Sequence, residues 1–199
     1  QALKRNVQLF PDKIATAYMD RSFTWKESLE RIRKLAFSIK KLNISTGDRV
    51  AILAHNSDRY FEFLYSVSWA GAVFVPINTR LAPPEIQFWI NDSESKIIFV
   101  DSNFSEVINN LLKEDKIPSV ENVIYISDDN TPENMIDYES LITNDSSEDE
   151  LRGYDDLAGL FYTGGTTGRS KGVMLSHTNM VVDALNCAVM ANMNEEAKW

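Results

Sequence analysis

The residues best suited to chemistry lie between Tyr162 and Gly172, which read Tyr-Thr-Gly-Gly-Thr-Thr-Gly-Arg-Ser-Lys-Gly. Gly164, Gly165 and Gly168 carry no Cβ, so the backbone can turn sharply there and bring N–H groups close to a ligand. Successive N–H groups in such a turn form a concavity that suits anions, phosphates above all. Thr163, Thr166 and Thr167 add hydroxyl donors, while Arg169 and Lys171 add positive charge. A polyphosphate can use all of these at once, so the segment implies nucleotide chemistry. A flexible Gly/Thr linker has a similar composition. Here, however, the apolar run Leu157 to Phe161 leads in and Val173-Met174-Leu175 follows, which reads as strand, loop, strand.

The common phosphate loops do not fit. A Walker A loop places glycine directly before its lysine and Ser or Thr directly after it, with a helix beginning there. Here Ser170 precedes Lys171, Gly172 follows it, and an extended apolar run comes next. No G-x-G-x-x-G spacing occurs, which sets aside the dinucleotide fingerprint and the kinase glycine loop.

The segment resembles the phosphate-loop signature of the adenylate-forming superfamily: acyl-CoA synthetases, peptide-synthetase adenylation domains and luciferases. That signature has the form Tyr-Thr-Ser/Gly-Gly-Thr-Thr-Gly-x-Pro-Lys-Gly. Two earlier segments, in the family's order, extend the resemblance to nearly the whole chain. Phe23-Thr24-Trp25-Lys26-Glu27-Ser28-Leu29 is similar to the family's T-Y-x-E-L block, and Trp69 to Asn78 to its x-A-G-A-x-x-x-P-L/I-N block. Ser170 departs from the pattern, which has proline there, and this resembles variants among fatty-acyl members.

The resemblance implies an α/β fold, a layered, parallel-rich sheet flanked by helices, with residues 1–199 forming the N-terminal portion of an AMP-binding domain. It implies ATP, Mg2+ and coenzyme A as cosubstrates and a small carboxylic acid, a fatty acid by the Ser170 variant, as substrate. Thr163, Gly164, Gly165, Thr166, Thr167 and Gly168 would then hold the β- and γ-phosphates, with Arg169 assisting and Lys171 as the catalytic cation. No protein metal ligand is implied. The family's later motifs do not occur in the chain, and it starts without methionine, so on this resemblance the 199 residues alone are expected not to turn over. A non-catalytic phosphate-binding module, an adenylation domain for an amino or aryl acid, and an NTPase with an atypical loop remain as alternatives.

The elements that must position the loop alternate along the chain. Ile14 to Met19 and Ser22 to Trp25 read as two short strands around an Asp20-Arg21 turn. Leu29, Ile32, Leu35-Ala36 and Ile39 mark one face of a helix. Val50 to Ala54, Val73 to Val75 and Lys96 to Val100 read as buried strands, and Phe61 to Trp69 as a helix apolar nearly all round. Pro84 suits the first turn of a further helix, and Phe104 to Leu112 follows as another. Val181, Ala184, Leu185, Ala188 and Val189 mark the last helix, with Cys187 among them as a small core residue. Strand–helix alternation with continuous apolar strands implies a parallel-rich sheet covered on both faces.

His55 and His177 are each expected at a helix start, capping or packing, with the family pattern giving His177 a second option beside the nucleotide. Asn78 and Arg80 follow a strand end, where α/β sheets bind ligands, though surface-loop roles suit them.

Composition excludes several classes. The net charge of −9 is concentrated in residues 114–156, which hold 14 Asp/Glu against two Lys/Arg. That stretch reads as a solvated, partly mobile surface connection interrupted by one strand, Asn122 to Ile126, and its carboxylate spacing matches no EF-hand loop. No basic stripe suggests nucleic acid. The longest apolar run, Ala70 to Ile77, is too short to span a bilayer, leaving only peripheral membrane contact open. A single cysteine permits no internal disulfide and suits a reducing compartment, most simply the cytoplasm. Oligomeric state is not implied by any of these features.

Overall fold

A computed structural model of the chain describes residues 2–164 and 168–193. A helix absent from the sequence reading, α1 (Ala2–Leu9), precedes an antiparallel hairpin of β1 (Ile14–Tyr18) and β2 (Arg21–Thr24). The hairpin turns at Met19, which adopts a φ of 51°, so Arg21 belongs to the strand and not to the turn. Helix α2 (Trp25–Lys41) begins at a capping box: Thr24 Oγ1 accepts from Glu27 N–H, and Glu27 Oε2 accepts from Thr24 N–H. The Thr-Trp-Lys-Glu block is thus a helix start.

Three strand–helix units and a further strand follow: β3 (Arg49–Leu53), α3 (Asp58–Trp69), β4 (Val73–Pro76), α4 (Pro83–Ser93), β5 (Ile97–Val100), α5 (Ser105–Lys113) and β6 (Asn122–Tyr125). Then come β7 (Ile136–Asp137), a 3-10 turn, β8 (Leu157–Thr163), β9 (Lys171–Ser176) and α6 (His177–Met190). The sheet runs β7-β6-β5-β3-β4-β8-β9, parallel throughout except for the β8–β9 hairpin.

Alternate side chains of each strand leave opposite faces of the sheet. Val50, Ile52, Ile97, Phe99 and Ile124 pack under α2 and α3, whereas Ala51, Leu53, Ile98, Val100 and Val123 pack under α4 and α5. Both faces are buried, which is why these strands read as unbroken apolar runs. Among the described residues no helix is long and apolar enough to cross a membrane.

Two expectations are corrected. The acidic stretch is not a loose, solvated connection: Met135, Tyr138 and Leu141 are buried, and Ser38 Oγ donates to the Leu141 carbonyl. Its acids meet bases of the preceding elements, Asp128 with Arg21 and Arg59, Glu139 with Arg31 and Arg59, Glu148 with Arg33, and Glu150 with Lys40. A local charge count misses partners roughly a hundred residues away in sequence. The second correction is α6, none of whose residues is buried; Leu185 is 61% and Val189 80% exposed, and Cys187 is exposed too. Periodicity shows that a helix face is apolar but not what lies against it.

Candidate functional site

Because β3, β4, β5, β6 and β8 are parallel, their carboxyl ends share one edge of the sheet, the place where open α/β sheets bind ligands. The glycine–threonine segment is the tip of the β8–β9 hairpin on that edge. Thr163 and Lys171 are paired across its base, and Tyr162 faces Gly172. The strand expected after Lys171 is therefore present, and the hairpin replaces the strand-to-helix turn of a Walker loop.

Thr163, Gly164, Gly168, Arg169 and Lys171 are exposed at the tip. Gly168 has a φ of 99°, which L side chains rarely adopt, and open space lies where its Cβ would be. Arg169 places its guanidinium 5.9 Å from the centre of the Phe88 ring on α4. Among the described residues no carboxylate pairs with Lys171 or Arg169, so both charges are available to an anion. Gly165, Thr166 and Thr167 lie outside the described residues, as does the centre of the tip whose mobility the glycine content would suggest.

Beside the tip lies a cavity of about 330 Å³ lined by Ala54, Asn56, Tyr60, Asn78, Trp89 and Tyr162, among others. Tyr60 and Tyr162 have their hydroxyl pKa raised by burial, and Tyr162 further by the neighbouring Asp92 carboxylate, so both stay protonated donors near neutral pH. Asn78 reaches this edge, but its Oδ1 accepts from Arg80 N–H at 3.0 Å, and Arg80 points to solvent. Farther along the edge His55 Nδ1 lies 3.1 Å from Asp101 Oδ2 and its ring packs against that of Phe104, tilted by 30° at 5.4 Å. His55 is not a cap; Ser57 caps α3 by accepting from Tyr60 N–H.

His177 is not brought to the tip. Ser176 pairs with Leu157 at the start of β8, so β9 carries the chain across to the opposite edge, on the order of 15–20 Å from Lys171 at strand rise. There Ser176 caps α6 and His177 lines an apolar cavity of about 340 Å³ with Leu64, Trp69, Phe74 and Met180. Burial depresses its pKa, with Asp156 opposing the shift. The helix expected at Pro84 is present as α4, but the sequence reading missed its bearing on the site: Trp89 belongs to no motif, yet its ring stacks on that of Tyr162 at 4.8 Å beside the tip.

A parallel-rich sheet with a Gly/Thr-rich hairpin at its carboxyl edge is an α/β architecture that offers a ligand site at that edge. The family model described as AMP-binding enzyme matches residues 3–199, and the chain belongs to that family. A peroxisomal butyrate–CoA ligase of Arabidopsis thaliana is 36% identical over 203 residues, covering 94% of this chain and 35% of the ligase. The solved structure of a long-chain-fatty-acid–CoA ligase from Archaeoglobus fulgidus superposes with a TM-score of 0.83 at 27% identity, covering 98% of this chain and 39% of that one. An o-succinylbenzoate CoA synthetase from Bacillus subtilis, solved with its acyl-adenylate intermediate, gives a TM-score of 0.76 at 26% identity, covering 99% and 47%. The chain spans about a third of the length of the curated relatives it matches.

Proposed function

We propose that the whole protein carrying this chain activates a carboxylic acid, with fatty acids as the substrate class, and that residues 1–199 are the early part of its AMP-binding domain. A carboxylate oxygen attacks the α-phosphorus of ATP, the α–β phosphoanhydride bond breaks, and acyl-adenylate and pyrophosphate form. The thiol of coenzyme A then attacks the acyl carbon and AMP leaves. In the first step the protein positions and neutralises rather than reacting covalently. Thr163, Gly164, Gly165, Thr166, Thr167 and Gly168 hold the departing β- and γ-phosphates through N–H and hydroxyl donors, and Arg169 assists. Lys171 offsets charge that builds on the pyrophosphate. Magnesium bound with ATP would supply further charge neutralisation.

The observation that carries this reading is the β8–β9 hairpin, which sets Thr163 and Lys171 side by side at the carboxyl edge of the sheet. Butyrate and long-chain fatty acids in the names of the relatives support the fatty-acid assignment. The o-succinylbenzoate enzyme supports aryl acids as a second reading. One cysteine suits a reducing compartment, and the named relatives include peroxisomal ligases. The test is acid-dependent ATP–pyrophosphate exchange across a panel of fatty and aryl acids, with Lys171→Ala alongside. Loss of one charged transition-state contact should slow exchange about 100–1,000-fold. An unchanged rate would remove Lys171 from the chemistry, and no exchange with any acid would leave a phosphate-binding module or an atypical NTPase.

A further inference from the structure

The hairpin tip is poorly supported by the sheet itself. The registered pair between β8 and β4 is Phe74 with Gly159, and β4 ends two residues later at Pro76. Tyr162 and Thr163 therefore run past the end of β4, and β9 is the outermost strand of the sheet. Three side chains of α4 meet the hairpin there. Tyr162 Oη donates to Asp92 Oδ2 at 2.6 Å, its ring stacks on Trp89 at an interplanar angle of 19°, and Arg169 lies over Phe88. Phe88, Trp89 and Asp92 are spaced to share one side of the helix. Behind the ring is Gly172, where a Cβ would come within 3.2 Å of Tyr162 Cζ. The Tyr162 ring is thus held between α4 and the backbone of β9, and it touches both strands of the hairpin.

We propose that α4 is the support that sets the position of the phosphate hairpin, with Asp92 and Trp89 as positioning residues acting through Tyr162. Thr163 and Lys171 flank the clamped pair Tyr162 and Gly172, so a shift of the ring displaces the first phosphate donor and the cation together. The proposal rests on the phosphate reading of the hairpin, and the clamp is a property of α4 that the reading does not contain. Asp92 is exposed, so its loss removes a local constraint and not a piece of the core.

The experiment uses the whole protein and Mg-pyrophosphate as the probe, because its binding does not require adenylation. Tyr162→Phe keeps the ring and loses the hydroxyl, Asp92→Ala loses the acceptor, and Asp92→Asn keeps one. Tyr162→Phe and Asp92→Ala should each weaken pyrophosphate binding about tenfold, in the range of a hydrogen bond to a charged group. The double variant should be no worse than either single one, since one bond is lost in each. Asp92→Asn should restore affinity to within about threefold. Amide exchange across residues 161–172 should quicken in the two weakened variants, and KM for ATP should rise more than kcat falls. Unchanged affinity in both single variants, or losses that multiply in the double variant, would overturn the clamp. A wild type that binds pyrophosphate but shows no acid-dependent exchange would refute the proposed function while the variants still judge the clamp. A wild type that binds no pyrophosphate would overturn both.

Discussion

Replacing Gly159 by alanine places a methyl group where the structure has no room for one. A Cβ built there lies 2.5 Å from Phe74 Cε2, 2.9 Å from Phe74 Cδ2 and 3.0 Å from Phe161 Cε2. Optimal carbon–carbon separation is about 3.5–4.0 Å, so the nearest contact is short by roughly 1 Å. Relief by rotation is restricted, because Phe74 is buried and its ring stands edge-on to Phe161 at 5.7 Å. Moving one ring drives it into the other or into the core under α3. Overpacking of this kind costs about 1–3 kcal/mol, while removing a glycine from the unfolded chain returns about 0.4–1 kcal/mol. The net expectation is a loss of about 1–2 kcal/mol, which lowers Tm by about 2–8 °C in a chain of this size. Urea and thermal unfolding of the purified protein would measure it, with Gly153→Ala as the control, since nothing lies within 4 Å of that Cβ. Adding Phe74→Leu to Gly159→Ala should cost less than the sum of the single changes, because the smaller side chain makes room for the methyl group. If Gly159→Ala is as stable as Gly153→Ala, or if the two losses simply add, the packing argument is wrong.

Other expectations follow from buried charge and from pH. Arg31 holds Glu62 through Nε at 2.6 Å, and the Glu62 side chain is 1% exposed; Arg31→Met, which strands that carboxylate, should cost about 3–5 kcal/mol in urea unfolding. A cost under about 1 kcal/mol would show that the Tyr138 hydroxyl, which also donates to Glu62, is partner enough. For His177, burial holds the pKa below its ordinary 6.5, so protonation is harder in the folded than in the unfolded state. Its contribution is therefore intact above pH 6.5 and is lost as pH falls through that value toward the lower folded-state pKa. His177→Gln should flatten the fall in stability over that window, and an identical pH profile for the variant would refute the assignment.

What could be read from the sequence was local in origin. The runs at Val50 to Ala54 and Lys96 to Val100 announce strands covered on both faces, since only such strands dispense with alternation. Pro84 announces a helix start because its fixed φ suits the first turn, whereas Thr24 and Trp25 read as strand although Thr24 and Glu27 form the capping box of α2. Glycines and hydroxyls followed by a lysine mark a candidate anion site, for the backbone freedom and the donors lie within eleven residues. Folding decided what depends on distant partners. Antiparallel pairing of β9 sends His177 to the far edge of the sheet, although it follows Lys171 by only six positions. Arginines of β2, α2 and α3 turn an acidic stretch that reads as solvated into one pinned over the core. Trp89 and Asp92 meet Tyr162 only because α4 packs across the sheet from a position some seventy residues earlier in the chain. Side-chain periodicity and capping are fixed by neighbours within a few residues, whereas these contacts exist only once strand order and register have been set.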